Sequence, residues 1–346
     1  MIYRQFDLHE KGSLPGSHLT VYIQEPADKL KIKERPLILI CPGGGYSYTS
    51  DREAEPIALS FLAKGFHAAI LRYSCEGAHY PTALLELARS VLIIRENADD
   101  WHVDRDSIVI QGCSAGGHLA ASFCCTWRDD LYLKELSPSV STTAPDAKEL
   151  PSSNAKELPS PVSTGAPDAK ELPSPDSTGA PDARELPSPD STGAPDAKEL
   201  PSPNAKDQPS PASTGALKPN GLLLCYPVIT SGEHAHRDSF RNLLGDRYDE
   251  LVDKASLENA VNDGVPRTFI WHTFTDQAVP VENSLLFATA LRQHGISTEL
   301  HIFPEGCHGL ALANHLTEGL EGKEIAPCCE PWIDLATTWM KYYLER

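Results

Sequence analysis

Short runs of apolar residues alternate along the chain with longer segments in which apolar residues recur every three or four positions. A continuous apolar run of five or six residues, bounded by polar or turn residues, is typical of a strand buried on both faces. Alternation of such strands with helices predicts a mostly parallel sheet that is covered by helices on both sides. The predicted strands are Leu37–Cys41, His67–Arg72, Ser107–Gln111, Leu222–Tyr226, Thr268–His272 and Thr298–Phe303.

The longer segments have helical periodicity. Ala54–Lys64 ends before Gly65, a residue typical of helix C-terminal caps, and Thr82–Asn97 carries its apolar residues on one face. A third stripe near the end of the chain, which we expect to pack into the core, consists of Trp332, Leu335, Ala336, Trp339, Met340 and Tyr343. The alternating segment HLTVYIQEP, before the first of these strands, predicts one or two antiparallel edge strands.

Residues 138–217 depart from this pattern. They contain no aromatic residue and 16 of the 29 prolines, and the unit GAPDAKELPSPDST recurs with a 14-residue period at Gly165, Gly179 and Gly193. Such a segment buries too little apolar area to offset the entropy lost on ordering, which predicts a disordered Pro/Ser/Ala-rich insertion. The remaining 266 residues, 1–137 and 218–346, suit a single α/β domain.

Charge and cysteine usage narrow the function classes. A formal net charge of −18 without a basic run disfavours nucleic acid and anionic membrane surfaces as partners. No segment approaches the roughly 20 apolar residues that a membrane span requires. The nine cysteines include no C-x-x-C pair, which predicts reduced thiols in a cytoplasmic protein.

A Gly-x-Ser-x-Gly motif carries the first chemical signal. In SIVIQGCSAGGHLAASF a β-branched run precedes the motif and a helix-forming run follows it, which is the strand–turn–helix context that a nucleophilic serine requires. Ser114 is the central residue and the predicted nucleophile, at the N-terminus of the helix. Cys113 occupies the preceding position, and we expect it to pack in the turn rather than react.

A serine hydroxyl needs a base that removes its proton and a carboxylate that orients the base. His308, in ELHIFPEGCHGL, follows the last predicted strand on a loop flanked by glycine, and it is the predicted base. Asp276 directly follows a strand in FIWHTFTDQAVP and is the predicted acid, with Glu305 as the alternative. His118, in the helix after the nucleophile, is expected to pack structurally.

Three glycines at positions 43–45 follow the first predicted parallel strand in LILICPGGGYSY. A glycine-rich loop at this place lets backbone N–H groups approach a substrate oxygen. The amides of Gly44, Gly45 and Ala115 are therefore the predicted oxyanion hole. A phosphate-binding loop is disfavoured, because neither Gly-Lys-Ser/Thr nor G-x-G-x-x-G spacing is present.

These motifs, together with SDREAEPIALSFLAKGF and WHTFTDQAVPVENSLLFATAL, resemble the α/β-hydrolase superfamily, and within it bacterial esterases of the acetylxylan-esterase and feruloyl-esterase-like group. The resemblance covers nearly all of the chain outside the repeat. It implies a sheet of about eight strands, no metal or organic cofactor, and hydrolysis of short acyl esters such as acetyl groups on sugars. Pro42 stands where many relatives have histidine, and the proline-rich repeat is foreign to the family.

Topology separates the repeat from the predicted site. The helix after Ser114 runs away from the active-site edge, so the connection to the next strand is expected at the opposite end of the sheet. Residues 228–266 are the candidate lid, because they follow a strand at the active-site edge. His234 and His236 within them have i, i+2 spacing without further ligands, and we expect surface residues rather than a metal site.

The sequence therefore predicts a serine carboxylesterase that forms an acyl-enzyme at Ser114, with a small-molecule or oligosaccharide ester as substrate. Three alternatives remain at this point: a serine peptidase of the prolyl-oligopeptidase type, an arylformamidase, and a non-catalytic binding module on a hydrolase fold. The acyl group, the alcohol and the oligomeric state are left open.

Overall fold

A single eight-stranded sheet organises the part of the chain that the computed structural model describes, residues 1–136 and 214–344. Its strands are β1 (Ile2–Asp7), β2 (His18–Ile23), β3 (Arg35–Cys41), β4 (His67–Arg72), β5 (Val103–Cys113), β6 (Gly221–Cys225), β7 (Thr268–Thr273) and β8 (Thr298–Phe303). They lie in the order β1-β2-β4-β3-β5-β6-β7-β8. The pairs β1–β2 and β2–β4 are antiparallel and all other pairs are parallel. The predicted sheet of about eight strands, with antiparallel strands at one edge, is confirmed.

The apolar runs form central strands because both faces of the sheet are covered. All five residues of β6 and all six of β7 are buried, and most of β3 and β4 is buried as well. The predicted boundaries agree with the observed ones within two residues, except that β5 begins four residues earlier than expected. The edge strand β8 has only half-buried residues.

The α-helices of the described residues are α1 (Glu55–Ala63), α2 (Thr82–Glu96), α3 (Ser114–Thr126), α4 (Asp130–Glu135), α5 (Arg237–Leu244), α6 (Tyr248–Leu251), α7 (Glu282–Gln293) and α8 (Trp332–Leu344). Alternate residues of the strands point to opposite faces, so two cores form. Helices α1 and α8 pack on one face, where Trp332, Trp339 and Met340 are buried as the stripe predicts. Helices α2, α3 and α7 cover the other face.

The predicted repeat insertion falls largely outside the described residues. Its last four positions, Thr214–Leu217, form a 3-10 turn in which Leu217 is buried. The described structure therefore resumes four residues before the position at which the insertion was predicted to end. The turn packs against α4, and the Asn220 N–H donates to the Ile108 carbonyl at the start of the parallel part of β5. The chain therefore re-enters at the N-terminal edge of the parallel strands, opposite the edge where Ser114 lies.

Candidate active site

Ser114 lies at a sharp turn where β5 ends and α3 begins. Its φ of 53° is in the left-handed region, which is rare for residues other than glycine and costs conformational energy. The turn brings backbones so close that a Cβ atom on Gly116 would lie 2.0 Å from the Cys41 carbonyl oxygen. A side chain at this glycine of the motif would force the turn open, which explains the local requirement for it.

Ser114, His308 and Asp276 form a continuous hydrogen-bonded chain. The Ser114 Oγ lies 2.7 Å from His308 Nε2, and His308 Nδ1 lies 2.6 Å from Asp276 Oδ2. An ionised carboxylate can only accept, so Nδ1 carries the proton and Nε2 accepts from the serine hydroxyl. The strands β5 and β7 and the loop after β8 thus bring together residues that lie 194 positions apart in the chain.

The Asp276 carboxylate is fully buried and saturated with donors. Its Oδ1 accepts from the N–H groups of Ala278 and Val279, each at 3.0 Å. Burial by itself raises the pKa of the Asp276 carboxyl, but hydrogen bonds from His272 and His308 outweigh it and hold the pKa below its ordinary value. The group is therefore an anion at neutral pH.

His272, at the end of β7, is a part of the site that the sequence analysis missed. It is fully buried, and its Nε2 lies 3.3 Å from Asp276 Oδ2 and 3.0 Å from the Val279 carbonyl oxygen. The carbonyl requires an N–H at Nε2, so Nδ1 accepts from the Ser284 hydroxyl at 2.7 Å. The residue stands four positions before Asp276 in the quoted motif, which was its only sequence signal.

The glycine loop after β3 lies next to Ser114. A Cβ on Gly43 would be 2.8 Å from the Ser114 Cβ. The Gly43 N–H is already used, because it donates to a buried carboxylate at Glu53. Gly44 and Gly45 have φ values of 132° and 65°, and their N–H groups make no hydrogen bond to any described residue.

Ala115 follows the nucleophile at the first turn of α3, where backbone N–H groups have no partner within the helix. The three amides predicted for the oxyanion hole therefore belong to segments that meet at Ser114, and two of them are known to be unengaged. Such an arrangement can stabilise negative charge that develops on a carbonyl oxygen attacked by the serine.

Glu305, the alternative acid, and His118 both lie outside the hydrogen-bonded chain of Ser114, His308 and Asp276. Glu305 is exposed, and its side chain makes no hydrogen bond to His308. His118 is buried and joins the Tyr46 hydroxyl at 2.9 Å to the Ala255 carbonyl at 2.9 Å, in agreement with the expected structural role. Burial lowers the pKa of His118 to about 4.

The first half of residues 228–266, the candidate lid, lies against the glycine loop, whereas the end of the segment lies at the far end of α3, where the Asn262 side chain donates to the Cys125 carbonyl. Asn242 in α5 donates to the Gly45 carbonyl at 2.9 Å. His236 was expected on the surface, but it is half-buried beside the glycine loop, with Nδ1 2.8 Å from the Ser239 Oγ. Burial lowers the pKa of His236, and the nearby His308 lowers it further. His234 and His236 are both partly exposed, and His236 in addition lies beside Gly45.

Cys113 packs away from the chemistry. It is fully buried, and its Sγ lies 3.1 Å from the Gln111 Nε2. Burial raises the pKa of this thiol well above its ordinary range, so the nucleophilic thiolate is disfavoured. In the described part of the chain, no three His, Cys, Asp or Glu side chains group as metal ligands would, and no helix is both long and apolar enough to cross a membrane.

Two family models match the chain on either side of the repeat. The BD-FAE model matches residues 21–144, which include the glycine loop and Ser114. The Prolyl oligopeptidase family model matches residues 234–321, which include Asp276 and His308.

Curated relatives include a xylanase and an acetylxylan esterase. The chain is 30% identical over 286 residues to the endo-1,4-beta-xylanase B of Butyrivibrio fibrisolvens, which is 81% of this chain and 33% of that protein. It is 22% identical over 275 residues to the acetylxylan esterase of Xylanibacter ruminicola, 78% of this chain and 39% of that protein. The chain thus spans about a third of the length of these relatives.

Solved structures resemble the whole chain. An acetyl ester-xyloside bifunctional hydrolase from Caldicellulosiruptor lactoaceticus is 28% identical with a TM-score of 0.63, and the match covers 94% of this chain and 88% of that one. The carboxylesterase Cest-2923 from Lactobacillus plantarum is 23% identical with a TM-score of 0.67, and the match covers 99% and 98%. The second likeness shows the α/β-hydrolase fold alone.

Proposed function

We propose that this chain, which is similar to α/β-hydrolase esterases that include acetylxylan esterases, is a serine carboxylesterase that hydrolyses short-chain acyl esters through Ser114, His308 and Asp276. The observation that carries the proposal is the hydrogen-bonded chain of 2.7 Å and 2.6 Å that links these three side chains. It ends at Ser114, which lies next to the glycine loop.

In this mechanism the Ser114 hydroxyl attacks the ester carbonyl while His308 Nε2 takes its proton. The imidazolium is stabilised by the Asp276 anion, and it then protonates the alcohol that leaves. Water enters, loses a proton to His308 and attacks the acyl carbonyl. The imidazolium then returns this proton to the Ser114 Oγ as the acyl–serine bond breaks and the carboxylic acid is released. The amides of Gly44, Gly45 and Ala115 hold the oxyanion in both steps, and each such donor contributes roughly 3 kcal/mol to the transition state.

For the substrate we propose acetyl or feruloyl esters of carbohydrates such as xylan. Two similar proteins support this choice by their names, the acetylxylan esterase of X. ruminicola and the acetyl ester-xyloside bifunctional hydrolase of C. lactoaceticus. The endo-xylanase B relative adds a third protein named for xylan. The nine free cysteines support the further proposal of a reducing, cytoplasmic compartment, where the substrate would be a small or oligosaccharide ester.

A serine peptidase is the second candidate, because the Prolyl oligopeptidase family model matches the segment that carries Asp276 and His308. An arylformamidase would use the same groups on an N-formyl amide. A non-catalytic binding module is disfavoured, because all three side chains are present and hydrogen-bonded.

The test is hydrolysis of p-nitrophenyl acetate together with labelling by a fluorophosphonate probe. The wild-type chain should turn over the ester and be labelled at Ser114, and Ser114→Ala should lose both while melting like the wild type. Turnover by Ser114→Ala near the wild-type rate would refute the nucleophile. A panel of acetylated xylan, feruloyl esters, a chromogenic proline peptide and N-formylkynurenine then ranks the substrate classes by kcat/KM.

A further inference from the structure

Glu53 is a buried acid that the mechanism above does not use and that lies beside the glycine loop. Glu53 lies in a one-turn 3-10 helix, Asp51–Glu53, between β3 and α1, yet its side chain is only 3% exposed. Its neighbour Arg52 pairs with Glu324 instead, at 3.8 Å. Burying a carboxylate is costly unless donors satisfy it, so the contacts of Glu53 indicate what it does.

The first contact is with the glycine loop. Glu53 Oε2 accepts from the Gly43 N–H at 2.7 Å. Gly43 lies between Glu53 and Ser114, because a Cβ on Gly43 would be 2.8 Å from both Glu53 Oε2 and the Ser114 Cβ. This bond engages the Gly43 amide and holds the residue that precedes the two unengaged amides.

The second contact leads to the histidine loop. Glu53 Oε1 accepts from the Tyr226 hydroxyl at 2.8 Å, and the same hydroxyl oxygen accepts from the Ala311 N–H at 2.9 Å. Ala311 is three residues after His308 on one loop. The Tyr226 ring also packs edge-on against the His308 ring, with centroids 5.2 Å apart at 73°.

We propose that Glu53 is a positioning residue for ester hydrolysis, whose carboxylate fixes the oxyanion loop through Gly43 and the His308 loop through Tyr226. Both loops must reach Ser114 at the same time, and one rigid carboxylate between them sets their separation. A shift of about 1 Å in either loop costs on the order of 100-fold in rate, even when every reacting group is present.

The proposal rests on the proposed function and predicts a particular kinetic signature. Oxyanion donors act mainly on the transition state, so their displacement lowers kcat and leaves KM nearly unchanged. In Glu53→Gln, the amide oxygen can still accept from Gly43, but the NH2 group then faces Tyr226, whose hydroxyl hydrogen loses its acceptor. We expect kcat for p-nitrophenyl acetate to fall by about 10- to 100-fold, with KM within about threefold.

Tyr226→Phe removes the hydrogen bond between Tyr226 and Glu53 by deleting its donor. The double variant, Glu53→Gln with Tyr226→Phe, tests whether the two residues act through this one bond. If it is, the double variant should be hardly slower than the slower single variant. Glu55→Gln is the matched control, because Glu55 is two residues away and half-exposed, and it pairs with Arg72 at 2.9 Å. Its kcat should stay within about twofold of wild type. Each rate is divided by the concentration of active sites that a fluorophosphonate labels, so that unfolded molecules do not lower the apparent kcat.

A kcat for Glu53→Gln within twofold of wild type would overturn the proposal, as would multiplicative effects in the double variant. A lowered melting temperature with an unchanged normalised kcat assigns Glu53 a structural role and also overturns it. If Glu53→Gln does not fold, Tyr226→Phe alone decides by the same criteria. Failure of the proposed function looks different, since the wild-type chain itself would then neither hydrolyse the ester nor be labelled at Ser114.

Discussion

Replacing Asp276 by asparagine tests the assignment of the acid most directly. The Ala278 and Val279 N–H groups, at 3.0 Å each, require an acceptor, so the Asn oxygen must take the place of Oδ1. The NH2 group then takes the place of Oδ2, which lies 2.6 Å from His308 Nδ1 in the wild-type protein. Two donors cannot share that contact, so the imidazole is driven into the tautomer that is protonated at Nε2. In that form it cannot accept the Ser114 proton.

The magnitude follows from the charges. With the centres of the carboxylate and the imidazolium about 4 Å apart and an effective dielectric constant of about 20, their attraction is about 4 kcal/mol. Loss of this attraction alone corresponds to a reduction in kcat of about 10³-fold. The unfavourable tautomer adds to this, and the same exchange in a serine protease triad costs about 10⁴. We expect a reduction in kcat between about 10³ and 10⁴.

The assay is steady-state hydrolysis of p-nitrophenyl acetate, with melting curves that verify folding. Glu305→Gln serves as the control, because Glu305 is exposed and its side chain is not bonded to His308. It should retain kcat within about twofold. The reasoning is refuted if Asp276→Asn keeps more than about a tenth of the wild-type kcat, and a large loss in Glu305→Gln would identify Glu305 as the acid instead.

Three further predictions concern groups around the site. Cys113→Ala should keep most of the esterase kcat, because the buried thiol only packs; an inactive but folded variant would contradict this. Stability should fall on acidification between pH 6.5 and about 4, because unfolded His118 binds a proton in that window and folded His118 does not. The free energy of unfolding should fall by at most about 3 kcal/mol over this range. It is measured by urea melts at several pH values, and an unchanged pH dependence in His118→Gln would exclude His118 as the source. Replacing residues 138–213 by a short Gly/Ser linker should leave kcat within a few-fold, since the chain re-enters opposite Ser114; a tenfold loss in a folded variant would show otherwise.

The elements that the sequence predicted well are those with strong local signals. Strand β4 matches its predicted bounds because the continuous apolar run Ala68–Leu71 ends at a polar residue on either side. The elbow at Ser114 was predictable because its glycines are needed for local backbone contacts, such as the 2.0 Å approach at Gly116. The glycine loop after β3 was also predictable from local sequence, since only glycine tolerates the backbone angles of Gly44 and Gly45 without strain.

Long-range hydrogen bonds had no such signal. Tyr226 donates to Glu53 across 173 positions of sequence, and each residue alone looks like an ordinary strand-end tyrosine or loop glutamate. His236 likewise reads as a polar loop residue until α5 folds back over Gly45. These contacts depend on how packed elements approach one another, which periodicity does not encode.

The sequence by itself determined the fold class, the order of the elements and the identity of Ser114, His308 and Asp276 as candidates, because these depend on local pattern and chain order. The tertiary structure decided their partnership: which carboxylate meets His308, which histidine supports Asp276, and which buried acid joins the two loops at Ser114. The physical reason is that hydrogen bonds form over about 3 Å and require alignment. Only packing of the whole sheet and its helices fixes positions that closely.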